Sequence, residues 1–414
     1  MNTAMHVRSM RPGRSAPGAA GRAARGVAQA LLATVTAAAL LASPPAAAGP
    51  REQAKRLYDR LNGTAASQAV LDSMQAKITA GDFTGAALLA IDDPNGNFYS
   101  VVLKDLVTPW TNRAQTPFQP LNDYTATVIG MVRDSVPFNT VLSADILYIG
   151  KSGLGLPAYS NSANDHYAQM EAQGMNLMTA LVQTTQSSVT GLPSAATAGV
   201  LTTRAAARAF FVAGTNRAMF RFTMINHMCT DLPQVMDITR PTDRIRQDVS
   251  RSPGGDSRVF LNNCVGCHSG MDPMAQAFAY YDYIDNTTTD NGALQYTNGT
   301  VAPKYFHNNT TFAPGYVTPD DHWDNRWRAG QNALMGWSPG LPGAGQGAKS
   351  LGAEIGASTQ FAQCQVQKAF QAMCLRPPSN AADRSAFNAI VSQFQQGYDL
   401  KRVFAATAVY CMGN

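Results

Sequence analysis

Residues 264–268 read Cys-Val-Gly-Cys-His. This C-x-x-C-H pattern is the attachment signature of c-type haem. Two thiols three positions apart on a helical turn both reach the vinyl groups of one macrocycle. The adjacent His268 then turns its imidazole toward the iron from the proximal side. The motif therefore asks for a helical turn at 264–268 and for one haem c per chain held by Cys264, Cys267 and His268. Two other chemistries share the Cys-x-x-Cys spacing. A zinc site needs two more Cys or His ligands at close spacing, and none lies nearby. A thioredoxin-like redox pair sits beside a β-α-β pattern, which the flanking sequence does not show.

Haem attachment requires export, and residues 1–48 supply an independent reason to expect it. They hold Arg8, Arg11, Arg14, Arg22 and Arg25 and no acidic residue. An alanine-rich apolar stretch from Val27 to Ala42 follows, then Ser43-Pro44-Pro45 and Ala46-Ala47-Ala48-Gly49. A basic start, an apolar middle and a small-residue cleavage site read as a secretory signal peptide. The apolar run is short for a membrane span and rich in Ala rather than Leu. The absence of a cysteine near the cut argues against a lipoprotein. The formal net charge of +5 belongs to this segment, since without it 27 basic residues face 27 acidic ones. The mature chain is neutral by this count, which removes the argument for a nucleic-acid partner. It contains no further long apolar run, so no transmembrane span is expected once the leader is removed. The expected location is the bacterial periplasm or cell envelope.

All six cysteines lie in the mature chain. An even count in an exported protein points to disulfides. The C-terminus reads as three helices, about 358–375, 381–396 and 399–411, separated by Pro377-Pro378 and Gly397, with Asn380 and Asp399 as N-caps. Cys364 and Cys374 are ten positions apart on the first of these, roughly 15 Å along the axis, beyond the ~7 Å Cα limit of a disulfide. In an up-down-up bundle Cys411 returns to the level of Cys374. The expected bridges are Cys374–Cys411 and, by exclusion, Cys229–Cys364, each contributing about 2–4 kcal/mol.

The sixth iron ligand is open at this level. Met335 lies in Asn-Ala-Leu-Met-Gly-Trp, after the motif and ahead of the C-terminal helices. That order is similar to small class I cytochromes, in which a distal methionine loop sits between the haem-binding helix and the last helix. His307, in Tyr-Phe-His-Asn-Asn, is the alternative, and an open distal position is a third arrangement. Trp323, Trp327 and Trp337 could wall the macrocycle or form a separate aromatic cluster. Arg326 and Arg328 could meet its propionates. The run Arg240, Arg244, Arg246, Arg251 and Arg258 alternates with Asp243, Asp248 and Asp256 and reads as a solvated charged face.

The stretch from Asn263 to Asp282 is more specific than the haem motif alone. It resembles the cytochrome-c-like domain of large planctomycete and myxobacterial exported proteins, a family of unknown function. Met271, Asp272, Pro273 and Asp282 match its pattern; Ala275 stands where the family usually has Gly. Phe361-Ala-Gln-Cys364-Gln-Val, Arg376-Pro-Pro and Gly397-Tyr-Asp-Leu-Lys-Arg resemble the domain that follows in that family. Gly199-Val-Leu-Thr-Thr, Arg217 and Cys229 are similar to its lead-in. The resemblance covers about 195–411 and is weak before that. It implies haem attachment and export, and no substrate.

The expected fold is mainly α. A helical N-terminal region (49–195) precedes a class-I-like cytochrome c haem region (196–357) with a long loop, and a C-terminal three-helix unit (358–414) packs on it. Within the first region, Ala54, Leu57 and Leu61 share a helical face that stops at Gly63. Ser67 caps a second helix carrying Val70, Leu71, Met74 and Ile78. Asp93-Pro-Asn-Gly is a turn. The run from Phe98 to Leu106 fits either a strand or a buried helix. Residues 163–184 place Tyr167, Met170, Leu177, Met178 and Leu181 on one helical face, and 202–229 reads as two helices broken near Gly214. The segment 284–349, rich in Asn, Thr, Gly and Pro, reads mostly as loop. Three functions are compatible: electron transfer with a redox partner protein, a haem enzyme of peroxidase or oxygenase type, or a haem-bearing subunit of a cell-envelope assembly. No Ser-His-Asp triad, Walker loop or dinucleotide fingerprint is evident.

Overall fold

The computed structural model describes residues 48–211, 215–285, 292–305 and 311–413. The expected leader, apart from Ala48, and the candidate ligand His307 lie outside the described residues. The protein is mainly helical, with 55% helix and a few short strands. Residues 48–414 cluster as one compact unit, and one hydrophobic core runs through it from Ala54 to Met412.

The N-terminal helices form where apolar spacing and caps place them. Helix α1 (Pro50–Asn62) buries Ala54, Leu57, Tyr58 and Leu61. Helix α2 (Gln68–Thr79) starts at Ser67, whose side chain accepts from the Val70 amide, and buries Leu71, Met74 and Ile78. Helix α3 (Phe83–Ile91) completes the trio. Buried Asn62 pins it together: its amide donates to the Ala90 carbonyl, and its carbonyl accepts from the amides of Asn97 and Phe98. The ambiguous run at 98–106 is helical, with a wide π turn at Phe98–Leu103 continuing into Lys104–Val107.

Helix α4 (Asp123–Arg133) is buried on every side from Asp123 to Val132. Its Asp123 carboxylate accepts from the amides of Arg204 and Ala205, at 2.6 and 3.0 Å, and so caps helix α6 (Arg204–Phe210) from across the core. One expected helix is interrupted. Helix α5 covers only Asp165–Ala172. Gly174 takes a left-handed φ of 59°, and the chain leaves as strand β2 (Leu181–Thr184), antiparallel to β1 (Leu147–Gly150). Leu177 and Met178 lie in a short helical turn at Leu177–Ala180, and the backbone turns extended only from Leu181, where it pairs with β1. Two more antiparallel pairs lie in the loop-rich segment: β3 (Tyr281–Ile284) with β4 (Ala293–Tyr296), and β5 (His322–Asp324) with β6 (Ala344–Gln346).

Helix α7 (Arg217–Met228) is followed by Cys229, and helix α8 (Val265–Ala275) carries most of the haem motif. Helix α9 (Gly347–Gly356) was not expected; Ala348, Leu351 and Ile355 give it an apolar stripe. The C-terminal unit is α10 (Thr359–Cys374), α11 (Ala381–Phe394) and α12 (Leu400–Cys411). Asn380 and Asp383 form a capping box, and Asp399 caps α12. Cys229 is bonded to Cys364 and Cys374 to Cys411, with Cα separations of 5.2 and 5.3 Å. These disulfides are consistent with an oxidising, extracytoplasmic location. Helix α12 also packs on α1 and α3, so the two ends of the described chain share one core. Among the described residues no helix is long and apolar enough to cross a membrane.

His227 on α7 gives the fold a pH dependence. Its Nε2 lies 2.7 Å from the Tyr124 hydroxyl, and the ring is buried between Trp110 and Phe361. Burial, with the Lys368 charge added, pulls its pKa down to about 3. The folded protein keeps it neutral while the unfolded chain binds a proton below about pH 6.5. The stability this group contributes is therefore complete above pH 6.5 and is lost as pH falls toward 3. Thermal melts from pH 7 to 4 should show a falling Tm, and His227→Gln should flatten that slope.

Candidate haem-attachment site

The helical chain enters the site through a short turn at Ser257–Val259 and a π turn at Phe260–Cys264, then runs on as α8. Leu261, Cys264 and His268 fall at i, i+3 and i+7, one stripe of a helix. Leu261 is exposed, Cys264 is part-exposed, and His268 keeps 19% of its side-chain surface. Cys264 and Cys267 are both free thiols.

The opposite face of the helix is packed flush. A Cβ on Gly266 would meet Met236 Cγ at 2.3 Å and the Asp237 amide at 3.2 Å. One turn later, a Cβ on Gly270 would meet Trp327 Nε1 at 1.9 Å. The absent side chains let the loop around Met236 and the Trp327 indole lie directly on the backbone. Hydrogen bonds fix the contact: the Asp237 amide donates to the Gly266 carbonyl at 3.0 Å, and Ser269 Oγ donates to the Asp237 carbonyl at 3.1 Å. The Cys267 thiol reaches the Leu232 carbonyl at 3.4 Å. Burial, with Cys264 and Asp231 nearby, pushes the Cys267 thiol pKa up.

Beneath His268 lies a buried charge cluster. His268 Nδ1 is 3.1 and 3.2 Å from the two oxygens of Asp272. An ionised carboxylate can only accept, so Nδ1–H donates and Nε2 is left with its lone pair. Asp272 also accepts from Arg217 at 2.8 and 3.1 Å. Arg217 holds Asp248 at the same time through both Nη atoms, at 2.5 and 2.9 Å. Arg246 brings its guanidinium within 3.6 Å of Asp272 and stacks it over the Tyr305 ring at 4.9 Å. Its three side-chain nitrogens make no hydrogen bond among the described residues, so there it acts on Asp272 as a buried charge. Burial alone would push the Asp272 carboxyl up. The Arg217 and Arg246 charges, with the hydrogen bond from His268, outweigh it and hold the carboxyl well below the usual range.

The other candidates are placed as follows. Met335 ends a short turn at Gln331–Met335 and is buried in the main core. That turn is tied to the loop against Gly266: Asn332 donates to the Val235 carbonyl, and Gln331 donates to that of Met236. Trp323, Trp327 and Trp337 are all core residues. Trp337 Nε1 donates to the Trp327 and Asn332 carbonyls, and Trp323 Nε1 to Ser350. Arg326 pairs with Asp243, and Arg328 forks onto Glu354. The arginine run is not a solvated face throughout. Arg244 bridges Asp324, Gln276 and the His322 carbonyl, Arg246 is buried, and Arg251 donates to three backbone carbonyls. A loop-rich segment needs side chains to satisfy its backbone, and these arginines do so. His322 is half-exposed, its Nε2 3.4 Å from Asp324.

The donor set fits a covalently held haem. Two free thiols sit one turn apart in a chain whose other four cysteines are bridged. The adjacent imidazole presents Nε2 with its other nitrogen already satisfied, the usual arrangement of a metal-ligating histidine. Leu261, on the same stripe as Cys264 and His268, is an exposed apolar side chain beside the motif. Among the described residues no group of three or more His, Cys, Asp or Glu is arranged to hold a bare metal ion, Cys264, Cys267 and His268 included. Comparison with models of known families, with curated proteins and with solved structures finds no match.

The helix–indole contact makes a local prediction. Gly270→Ala should lower stability by about 1–3 kcal/mol through overpacking against Trp327. Denaturant titration of Gly270→Ala against the parent protein measures it.

Proposed function

We propose that this chain is an exported monohaem c-type cytochrome that carries electrons to or from a redox partner protein. The observation that carries the reading is the joint geometry of Cys264, Cys267 and His268: two unbridged thiols on one turn, and an imidazole whose Nδ1–H is held by Asp272. Bound there, haem would supply one-electron chemistry at its iron. The protein's part is to anchor the ring through Cys264 and Cys267, to present His268 Nε2, and to set the polarity around it. The resemblance of residues 195–411 to exported cytochrome-c-like proteins supports the same reading, as does the expected leader. The periplasm or cell envelope of a bacterium is the location this implies. Met335 is the proposed distal ligand and His307 the alternative; Met335 would have to leave the core position it now occupies, or the ring would have to reach it there.

One observation favours a second reading, a haem enzyme of peroxidase type. A carboxylate behind the proximal histidine makes that ligand more basic, which suits an iron that must be oxidised beyond the ferric state. An open distal position would be needed for it.

Expression with a c-type maturation system separates these readings. Cys264→Ser with Cys267→Ser should abolish haem staining on a denaturing gel, while the parent stains. Met335→Leu should remove the methionine–iron signature in magnetic circular dichroism; an unchanged signature would reject Met335. A low-spin ferric spectrum unmoved by hydrogen peroxide is expected for electron transfer. A change on adding peroxide would favour the enzyme.

A further inference from the structure

The cluster under His268 does more than a backbone carbonyl in that place could do. A carbonyl would fix the tautomer of the ring and nothing else. Here the acceptor is a full carboxylate with no exposed side-chain surface, 3.1 Å from Nδ1. The bond is therefore charge-assisted and shielded from water, which strengthens it. It is also held in place by elements remote in sequence. Arg217 at the start of α7 grips both Asp272 oxygens, and Asp248 holds Arg217 from the other side. The Arg246 amide adds a bond to Asp272 Oδ2 at 3.4 Å. With four groups converging on it, the carboxylate has no room to swing away from the imidazole.

We propose that Asp272 is a positioning residue that tunes the iron through His268: it holds the ring as the Nδ1–H tautomer, makes Nε2 a stronger electron donor, and so stabilises the ferric over the ferrous state. This rests on the haem reading above and deepens it. The same contacts set a limit on the effect. Arg217 and Arg246 draw on the charge that Asp272 offers to His268, so the ligand is more basic than one bonded to a neutral carbonyl and less so than one facing an unpaired carboxylate.

The test uses the mature, haem-loaded protein. Asp272→Asn keeps an acceptor near Nδ1 and removes the charge. It should raise the midpoint potential by at least about 59 mV, a tenfold change in the one-electron equilibrium. Asp248→Asn is the control, since it removes a part-buried negative charge that touches Arg217 and not His268. Its shift should be much smaller. A potential unmoved in Asp272→Asn, or an equal shift in Asp248→Asn, would overturn the proposal, because a general field or a structural role would then explain the data. A measurement on the unaltered protein guards against variants that do not fold. The iron–histidine stretching frequency, recorded after photolysis of the ferrous carbon monoxide adduct, should lie above that of a histidine bonded to a neutral carbonyl. A frequency in the neutral-partner range would overturn the proposal with no variant needed. Parent protein that matures without covalent haem would fail the haem reading itself, a different result from haem-loaded protein whose potential ignores Asp272.

Discussion

A carboxylate taken out of water costs several kcal/mol unless its charge is met, and the region around the Cys-x-x-Cys helix is arranged around meeting one. Asp272 is buried on α8, and its partners come from three parts of the chain: His268 one turn back, Arg217 at the start of α7, and Arg246 in the loop between those helices. Breaking any of these would leave uncompensated charge in the core. The cluster therefore fixes where α7, α8 and the loop sit relative to one another. Helix α7 carries the constraint further, because Cys229 just past its far end is bonded to Cys364 on α10. One ion cluster and one disulfide thus connect the haem motif to the C-terminal helices.

That arrangement leaves the motif half in and half out of the protein. Gly266 and Gly270 let one face of α8 lie against the Met236 loop and Trp327, while the stripe bearing Cys264 and His268 stays at the surface. A covalently attached ring needs this. Its thioether bonds form on a chain that must still be reached by the attaching machinery, and no deep cavity has to exist beforehand. Both ends of the described chain contribute to the main core, since α12 packs on α1 and α3, and two small clusters, around Phe260 and Tyr305, flank the motif helix. Helices α1 and α3 are thus part of the support for the C-terminal unit.

Much of this was legible in the sequence where local chemistry decides the outcome. Ser67, Asn380 and Asp399 cap helices because a side-chain oxygen there meets a free amide, and a short motif shows that. The distance along one helix separates Cys364 from Cys374, and an up-down-up bundle returns Cys411 to Cys374, so the bridges follow from helix geometry and the order of the helices. Legibility fails where a distant partner decides. The helical spacing of 163–184 holds through a turn at Leu177–Ala180, but Leu181–Thr184 pairs as a strand because β1 is beside it. The arginines between 240 and 258 alternate with acids as a surface would, yet Arg246 is buried because Asp272 and Tyr305 await it. Asp272 itself stood out as a motif position four residues after His268, a spacing that on a helix puts the two side chains together. Nothing local could show that Arg217, 55 residues earlier, would grip the same carboxylate.

The electron-transfer reading depends on one covalent fact, and the mass of the intact protein decides it most directly. Protein matured in a host that attaches c-type haem, then denatured without reductant, should weigh one haem more than its polypeptide. It should also contain no titratable thiol, since Cys264 and Cys267 would be thioethers and the other four cysteines disulfides. A mass equal to the polypeptide alone, with Cys264 and Cys267 titrating as thiols or bonded to each other, would contradict the account.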